Sequence, residues 1–255
     1  MWDTFIVTPM TNLLLLIYNL VGQDFGIAII LFTILIRAIT WPLTAQQLKG
    51  TSGIQELQSD KEWLAIQKKY KNDKEKLAQE QMRIYKERGI NPFGSCLPTL
   101  IQFPIIIGLY QAIIRSLAAT PLALLDLSRR LYEFLDVTTV IPLNSTFLWM
   151  NLGRPEVSPL TLFGFNIPIL AIIVVITSYI QSKLMTPATS PGSNDQGAAM
   201  SNMMSIYMPF LMGYFALTFA SGLALYFITS NLLGIAQYAM MGRANWSNLI
   251  PGRKN

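Results

Sequence analysis

Five stretches of this chain are apolar over the roughly 17 to 25 residues that a helix needs to cross a bilayer. They are residues 23–42, 97–117, 165–183, 203–219 and 223–241. A backbone inside hydrocarbon must satisfy its own hydrogen bonds, so the expected fold is an all-α integral membrane protein with five transmembrane helices. The last two windows are separated by "ASGL", read as a tight turn permitted by Gly222 that makes them an antiparallel pair. Composition agrees: 52% of residues are hydrophobic and 13% charged, against about 25% charged in a soluble domain. Residues 1–22 contain a run of leucines too short for a crossing, and are expected to form an interfacial helix on the membrane.

The same sequence removes several classes of chemistry. One cysteine, Cys96, leaves no intramolecular disulfide, and the absence of histidine removes the commonest catalytic base and metal ligand. No phosphate-binding GxxxxGK[ST] loop is present. The reading is therefore a non-enzyme with no metal, no cofactor and no direct nucleic-acid function. The start lacks a basic n-region and a small-residue cleavage site, so no cleavable signal peptide is expected.

Orientation follows from the bias of Lys and Arg toward cytoplasmic loops. Residues 43–96 carry ten: Lys49, Lys61, Lys68, Lys69, Lys71, Lys74, Lys76, Arg83, Lys86 and Arg88. Lys183, Arg243, Arg253 and Lys254 fall on the same side, whereas the loop 118–164 and its edge hold four: Arg115, Arg129, Arg130 and Arg154. This places segment 43–96, the loop 184–202 and the short tail 242–255 in the cytoplasm, with 118–164 and the N-terminus outside. The basic segment reads as a helical hairpin. Asn72 with Glu75 fits a capping box, Gly89 a C-terminal cap and Pro92 a stop, with Lys76–Glu80 and Arg83–Glu87 as i, i+4 pairs. An earlier arm from about residue 53 to residue 70 puts Trp63, Ile66 and Tyr70 on one face. Such a hairpin is either a solvated, salt-bridged element or a contact surface for anionic headgroups or an arriving partner. Lys68, Lys69, Lys71, Arg83 and Arg88 are the candidate contacts.

Within the first window, "LFTILIRAITWPL" places Arg37 directly after an apolar run. A guanidinium in hydrocarbon costs roughly 2.5 to 3.5 kcal/mol on insertion scales. Two readings relieve the cost: the side chain snorkels to the nearby headgroups, or the helix faces a wet cavity. Thr33, Thr40 and Thr44 share its helical face, which suits the cavity. Gln102, Thr177, Gln181, Ser230, Gln237 and Tyr226 lie on other windows toward the same cytoplasmic half, and each alone is also explained as an interhelical hydrogen bond. Gln111 falls about 180° from Gln102 round its helix and is not assigned to that cavity. Met200, Met204, Met208 and Met212 recur every four residues, with Met203 beside them. They are either ordinary packing or an adaptable apolar surface for partner helices.

In order along the chain, "FGIAIILFTILIRAITWPLTAQQLK", "GINPFGSCLPTLIQFPIIIGLY", "STFLWMNLGRPE", "ITSYIQSKLM" and "MPFLMGYFALTFASGLALYFITSNLLGIAQ" resemble the YidC family of membrane-protein insertases, which has mitochondrial and thylakoid relatives. The resemblance implies five helices around a hydrophilic groove, open to the cytoplasm and sideways to lipid and closed outside. By it, Arg37 is similar to the family's groove arginine and Gln181 to a groove glutamine. Thr33, Thr40, Gln102, Tyr226 and Ser230 complete the candidate groove, and Met204, Met208 and Met212 are candidates for the surface along which a client helix slides. Phe227 departs from the tryptophan that relatives often carry there. By the same resemblance the protein is expected to do without the large outer domain of many Gram-negative members, the long basic tail of mitochondrial ones and the lipoprotein cysteine of many Gram-positive ones. A bacterial plasma-membrane protein is expected.

The implied activity is insertion and folding of client transmembrane segments without nucleotide hydrolysis. Nascent membrane proteins and lipids are the expected partners, and a ribosome and a Sec-type translocon further ones. An anion channel or transporter, and a scaffold that binds membrane helices without inserting them, are the rival readings. An intramembrane protease fits worst, because Ser182 and the adjacent Lys183 point to different helix faces.

Overall fold

The computed structural model describes residues 1–58, 60–70, 73–89, 97–117, 120–133, 135, 143–157, 160–162, 165–185 and 196–242. Lys71, Asn72 and the tail beyond 242 lie outside them, as do the side chains of Met200, Met203 and Met204.

A short π-helical stretch, Asp3–Val7, leads into α1 (Thr8–Leu20). Then follow α2 (Phe25–Gln58), α3 (Lys61–Lys69), α4 (Lys74–Glu87), α5 (Leu97–Leu117) and α6 (Pro121–Arg130). Two small antiparallel hairpins come next, β1 (Thr146–Phe147) with β2 (Met150–Asn151) and β3 (Thr161–Leu162) with β4 (Phe165–Asn166). The helices α7 (Ile169–Met185), α8 (Gln196–Thr218) and α9 (Ser221–Met240) end the described chain. The protein is mostly helical. Among the described residues two helical stretches are long and apolar enough to cross a membrane, Phe25–Ala45 within α2 and α9, while Gln102–Leu117 of α5 meets that test only together with α6. Ile169–Leu184 and Ser205–Thr218 are shorter apolar helices.

The central helix is α9, which packs against α2, α5, α7 and α8. Leu223, Ala224, Leu225, Tyr226 and Phe227 join Phe25, Ala28, Ile29 and Phe32 of α2 and Leu109 and Ile113 of α5 in one buried core. Helix α1 is a packed member of this bundle against α2 and α5; Leu14 and Tyr18 are buried in the core, and Asn12 accepts from the Tyr132 amide and donates to the Arg130 carbonyl.

The start of α9 is held by backbone bonds. The amides of Ser221 and Gly222, unpartnered within α9 because they begin it, donate to the carbonyls of Arg154 and Leu152 at 2.8 and 3.0 Å. A Cβ on Gly222 would stand 3.0 Å from the Leu152 carbonyl oxygen. Gly222 thus serves this close approach; the turn expected of it is made by Phe219 and Ala220, the latter extended at φ −56°, ψ 139°.

Other boundaries also differ from the sequence expectation. Helix α2 does not stop at Pro42 but runs on to Gln58. Proline forfeits a single N–H and biases a helix toward ending without requiring it, and the Thr40 and Thr44 hydroxyls add bonds to carbonyls of the same ladder. Residues 165 and 166 form β4, and α7 starts only after Pro168, whose ring disfavours helical geometry at residue 167. Helix α8 begins at Gln196, inside the expected loop.

Helices α3 and α4 pack through Leu57, Trp63, Leu77 and Ile84, with Ile66, Tyr70 and Tyr85 around them. The side chain of Asp60 caps α3 and that of Asp73 caps α4, one residue later than the expected Asn72. Lys76 pairs with this Asp73 at 3.4 Å, leaving Glu80 and Glu87 to Arg83 at 2.8 Å each. Arg88, followed by Gly89 at φ +64°, reaches back to Asp60 and Glu62 at 2.5 and 3.2 Å and clamps the two helices together. The Arg88 guanidinium, through its hydrogen bond, holds the Asp60 carboxyl below its ordinary value.

Candidate functional site: an unpaired arginine between α2 and α9

Arg37 lies twelve residues into α2, about 18 Å from its N-terminal end at 1.5 Å per residue. Ser230 and Gln181 lie about 14 and 18 Å into α9 and α7. Three helices therefore deliver these groups to a common level. Arg37 is half-buried, and among the described residues its hydrogen bonds go to Ser230: Nε to Oγ at 3.0 Å, and Nη2 to Oγ at 2.6 Å and to the carbonyl oxygen at 2.9 Å. No ion pair engages it among the described residues. A permanent cation held by neutral acceptors and still partly open needs water or an arriving anion to complete its solvation.

Gly234, one turn beyond Ser230, makes room for the cluster. A Cβ there would meet Gln181 Nε2 at 2.5 Å and Cδ at 3.1 Å, and would stand 3.7 Å from Arg37 Nη2. Its place four residues after Ser230, on the same helical face, was the available sequence signal, and it was missed. Asn231 was missed as well; its amide donates to Thr177 and Ser178 at 3.1 and 2.8 Å and ties α7 to α9. Above the arginine, the Gln102 amide donates to the buried Tyr226 hydroxyl, so α5 is joined to α9.

The threonines behave differently from the glutamines. Thr33 is fully buried and its hydroxyl donates to the Ile29 carbonyl at 2.6 Å; Thr40 donates to Ile36 at 2.9 Å. Both hydroxyl protons are committed within α2, leaving only acceptor lone pairs for the site. Gln111 accepts from the Trp2 indole at 3.0 Å and belongs to the N-terminal end.

On α8, Met208 and Met212 are half-buried, and Met212 packs against the core; the outward face carries Tyr207, Phe210 and Tyr214. On the hairpin, Arg83 and Arg88 are taken up by the ion pairs described, whereas Lys68 and Lys69 are exposed, with the Lys69 ammonium 5.2 Å over the Tyr70 ring. Among the described residues no cluster of acidic or sulfur ligands could hold a metal ion.

The family model described as "60Kd inner membrane protein" matches residues 16–247. The chain belongs to this family. Within the 60Kd inner membrane protein family it is similar to "Membrane protein insertase YidC 2" of Bacillus anthracis, at 32% identity over 92% of this chain and 79% of the relative. It is 34% identical to "Membrane protein insertase MisCA" of Bacillus subtilis (strain 168), over 92% of this chain and 77% of the relative. Among solved structures it resembles "Active YidC insertase crystal structure with the first transmembrane domain resolved", with TM-score 0.55 and 28% identity, covering 88% of this chain and 43% of that longer one. The protein is thus a bacterial membrane protein of the YidC family.

Proposed function

We propose that this protein is a membrane insertase with five spans, formed by α2, α5, α7, α8 and α9, its hairpin and C-terminus cytoplasmic and its N-terminus outside. The observation that carries the reading is Arg37, a half-buried cation anchored to Ser230 by neutral acceptors and matched by no carboxylate among the described residues. The names of the relatives, which are insertases, support the same conclusion.

A client arrives at the α3–α4 hairpin, with Lys68 and Lys69 as the available charges, and a ribosome or translocon is a partner at this stage. The client's polar flank then enters the groove, where Arg37 attracts its carboxylates by a charge-assisted contact. Gln181 and Gln102 supply neutral amides, and Tyr226 and Ser230 line the wall. A wet groove in the inner half of the bilayer shortens the hydrocarbon path of that flank. The client's apolar helix passes along α5 and α8 into lipid, over the Tyr207, Phe210 and Tyr214 face with Met208 and Met212 as the adaptable layer beneath, and with Met204 as a further candidate from its spacing in the sequence. Partitioning drives this step by tenths of a kcal/mol per apolar residue, and the membrane potential adds about 2.3 kcal/mol per charge per 100 mV when an acidic flank moves outward. Neither a nucleotide nor a covalent step is needed.

A channel would require polar groups to continue through the outer half, where Phe25, Ala28, Ile29, Leu223 and Ala224 are buried and apolar. A scaffold would bind clients without raising the yield of translocated tails. Reconstitution in liposomes decides: the protein is expected to give protease-protected insertion of a single-span client above that of empty liposomes. No gain across several clients would overturn the reading.

A further inference from the structure

The loop 118–164 carries a feature that an aqueous loop does not need. The β1–β2 hairpin has a two-residue turn, Leu148-Trp149. Such turns favour Asn-Gly, Asp-Gly or Gly at the positions of positive φ. Here Leu148 holds φ +54° with its side chain 75% exposed, and Trp149 beside it is 42% exposed. A γ-branched residue in a left-handed conformation carries a backbone cost that Gly or Asn would avoid, and in water its exposed side chain gains nothing in return.

The base of this hairpin is fixed to the outer ends of three helices. The Phe147 ring fills the space over Gly26 at the start of α2. The carbonyl of Leu152, just after β2, accepts from the Gly222 amide at the start of α9. The Trp149 indole donates to Glu156 Oε1 at 3.3 Å, and Glu156 Oε2 accepts from the Leu170 amide in the first turn of α7 at 2.7 Å. The tip therefore sits at the level where the helices emerge. Below it, Ile172, Ile176 and Tyr179 form an exposed stripe along α7, at the i, i+4, i+7 spacing of one helical face. Through Glu156 the tip is tied to the first turn of the helix that carries this stripe.

We infer that Leu148 and Trp149 form an anchor immersed in the outer interfacial region of the bilayer, the indole at the glycerol level that suits an amphipathic ring and the leucine among acyl chains. Lipid is the occupant because the tip is tied through Glu156 to the first turn of α7, the helix whose exposed apolar stripe faces lipid. The anchor holds in place the segment whose Leu152 and Arg154 carbonyls cap α9 and close the bundle outside. The inference rests on membrane embedding of α7, independently of what Arg37 does.

The test uses spin labels in phosphatidylethanolamine and phosphatidylglycerol vesicles. In a Cys96→Ser background, labels at Leu148→Cys, Ile172→Cys and Glu133→Cys report the tip, the lipid-facing stripe and an exposed aqueous reference. The Leu148 label is expected to collide more with oxygen than with a water-soluble nickel chelate, in the sense of the Ile172 label. A preference for the chelate, as at Glu133, would overturn the inference, and so would protection from both reagents, the mark of a protein partner or a second copy. On the unlabelled protein, lipids brominated near the glycerol end are expected to quench tryptophan fluorescence, with the quenched fraction lowered by Trp149→Phe. An unchanged quenched fraction would also overturn it.

Discussion

Replacing Gly234 by alanine should separate the stability of this protein from its activity. In a helix interior alanine is favoured over glycine by about 0.5 to 1 kcal/mol. Against that stands a Cβ placed 2.5 Å from Gln181 Nε2 and 3.1 Å from Cδ, where ordinary contacts begin near 3.5 Å, so the amide must retreat by about 1 Å. Gln181 is half-buried and its amide is the far end of a flexible chain; turning it off its rotamer costs about 0.5 to 1.5 kcal/mol. The two terms nearly cancel, and thermal unfolding should move by only a few degrees, at about 2 to 4 °C per kcal/mol for a chain of this size. Function should not survive as well. The new methyl contacts Arg37 Nη2 at 3.7 Å, sheds water from the guanidinium and displaces the neighbouring amide. Loss of one hydrogen bond between the guanidinium and the client's carboxylate, about 1.5 to 3 kcal/mol, corresponds to a fall in insertion rate of roughly tenfold or more. Insertion into proteoliposomes and unfolding of the same preparation measure both. Unchanged insertion would refute the role given to the Gln181–Gly234–Arg37 cluster, and a collapse in stability would show that Gly234 serves packing alone.

Three further outcomes follow from the same geometry. Ser230→Ala removes the Oγ bonds to Arg37 but keeps the 2.9 Å bond to the carbonyl; in a wet groove water replaces the lost acceptor and stability should fall by less than about 1 kcal/mol, whereas a dry site would lose the 1.5 to 3 kcal/mol of a charged bond, as read from thermal unfolding. Trp63→Ala should cost about 3 to 5 kcal/mol within the small α3–α4 core, where Trp63 is 1% exposed, so limited proteolysis should cut the hairpin while α7–α9 stay protected. Acidification should loosen the same hairpin: Asp60 has its carboxyl held below the ordinary 3.8 by Arg88, so its stabilisation is complete above that value and is lost as pH falls through the lower folded value, which hydrogen exchange of the α3 amides across that range would detect.

The sequence carried the common level of Arg37, Gln181 and Ser230 along their helices, because residue counts from the helix starts set height. It did not carry their pairing. Height is local, but which side chain meets Arg37 depends on helix rotation and crossing, and those are set by packing around α9. Gly234 was legible only in part: its spacing from Ser230 put it on the right face, but a glycine in an apolar helix reads as a weak point until the amide that occupies its missing Cβ is known. The apolar window ended at Pro42 but the helix did not, since hydropathy marks the span and one absent N–H does not break the ladder on either side. Within the hairpin, Asp73 rather than Asn72 caps α4, and that choice redirected Lys76 from Glu80. The Arg88–Asp60 clamp joins residues from different helices, so no spacing rule within one helix could have found it.

The central claim is that Arg37 engages the acidic flank of a client. It is tested most directly by insertion of paired clients with an acidic or a neutral outer tail, comparing the native protein with Arg37→Lys and Arg37→Ala in the same liposomes. The account predicts that Arg37→Ala lowers insertion of the acidic client well below that of the neutral one, with Arg37→Lys recovering part of the difference. Equal insertion of both clients by native protein and Arg37→Ala would contradict it.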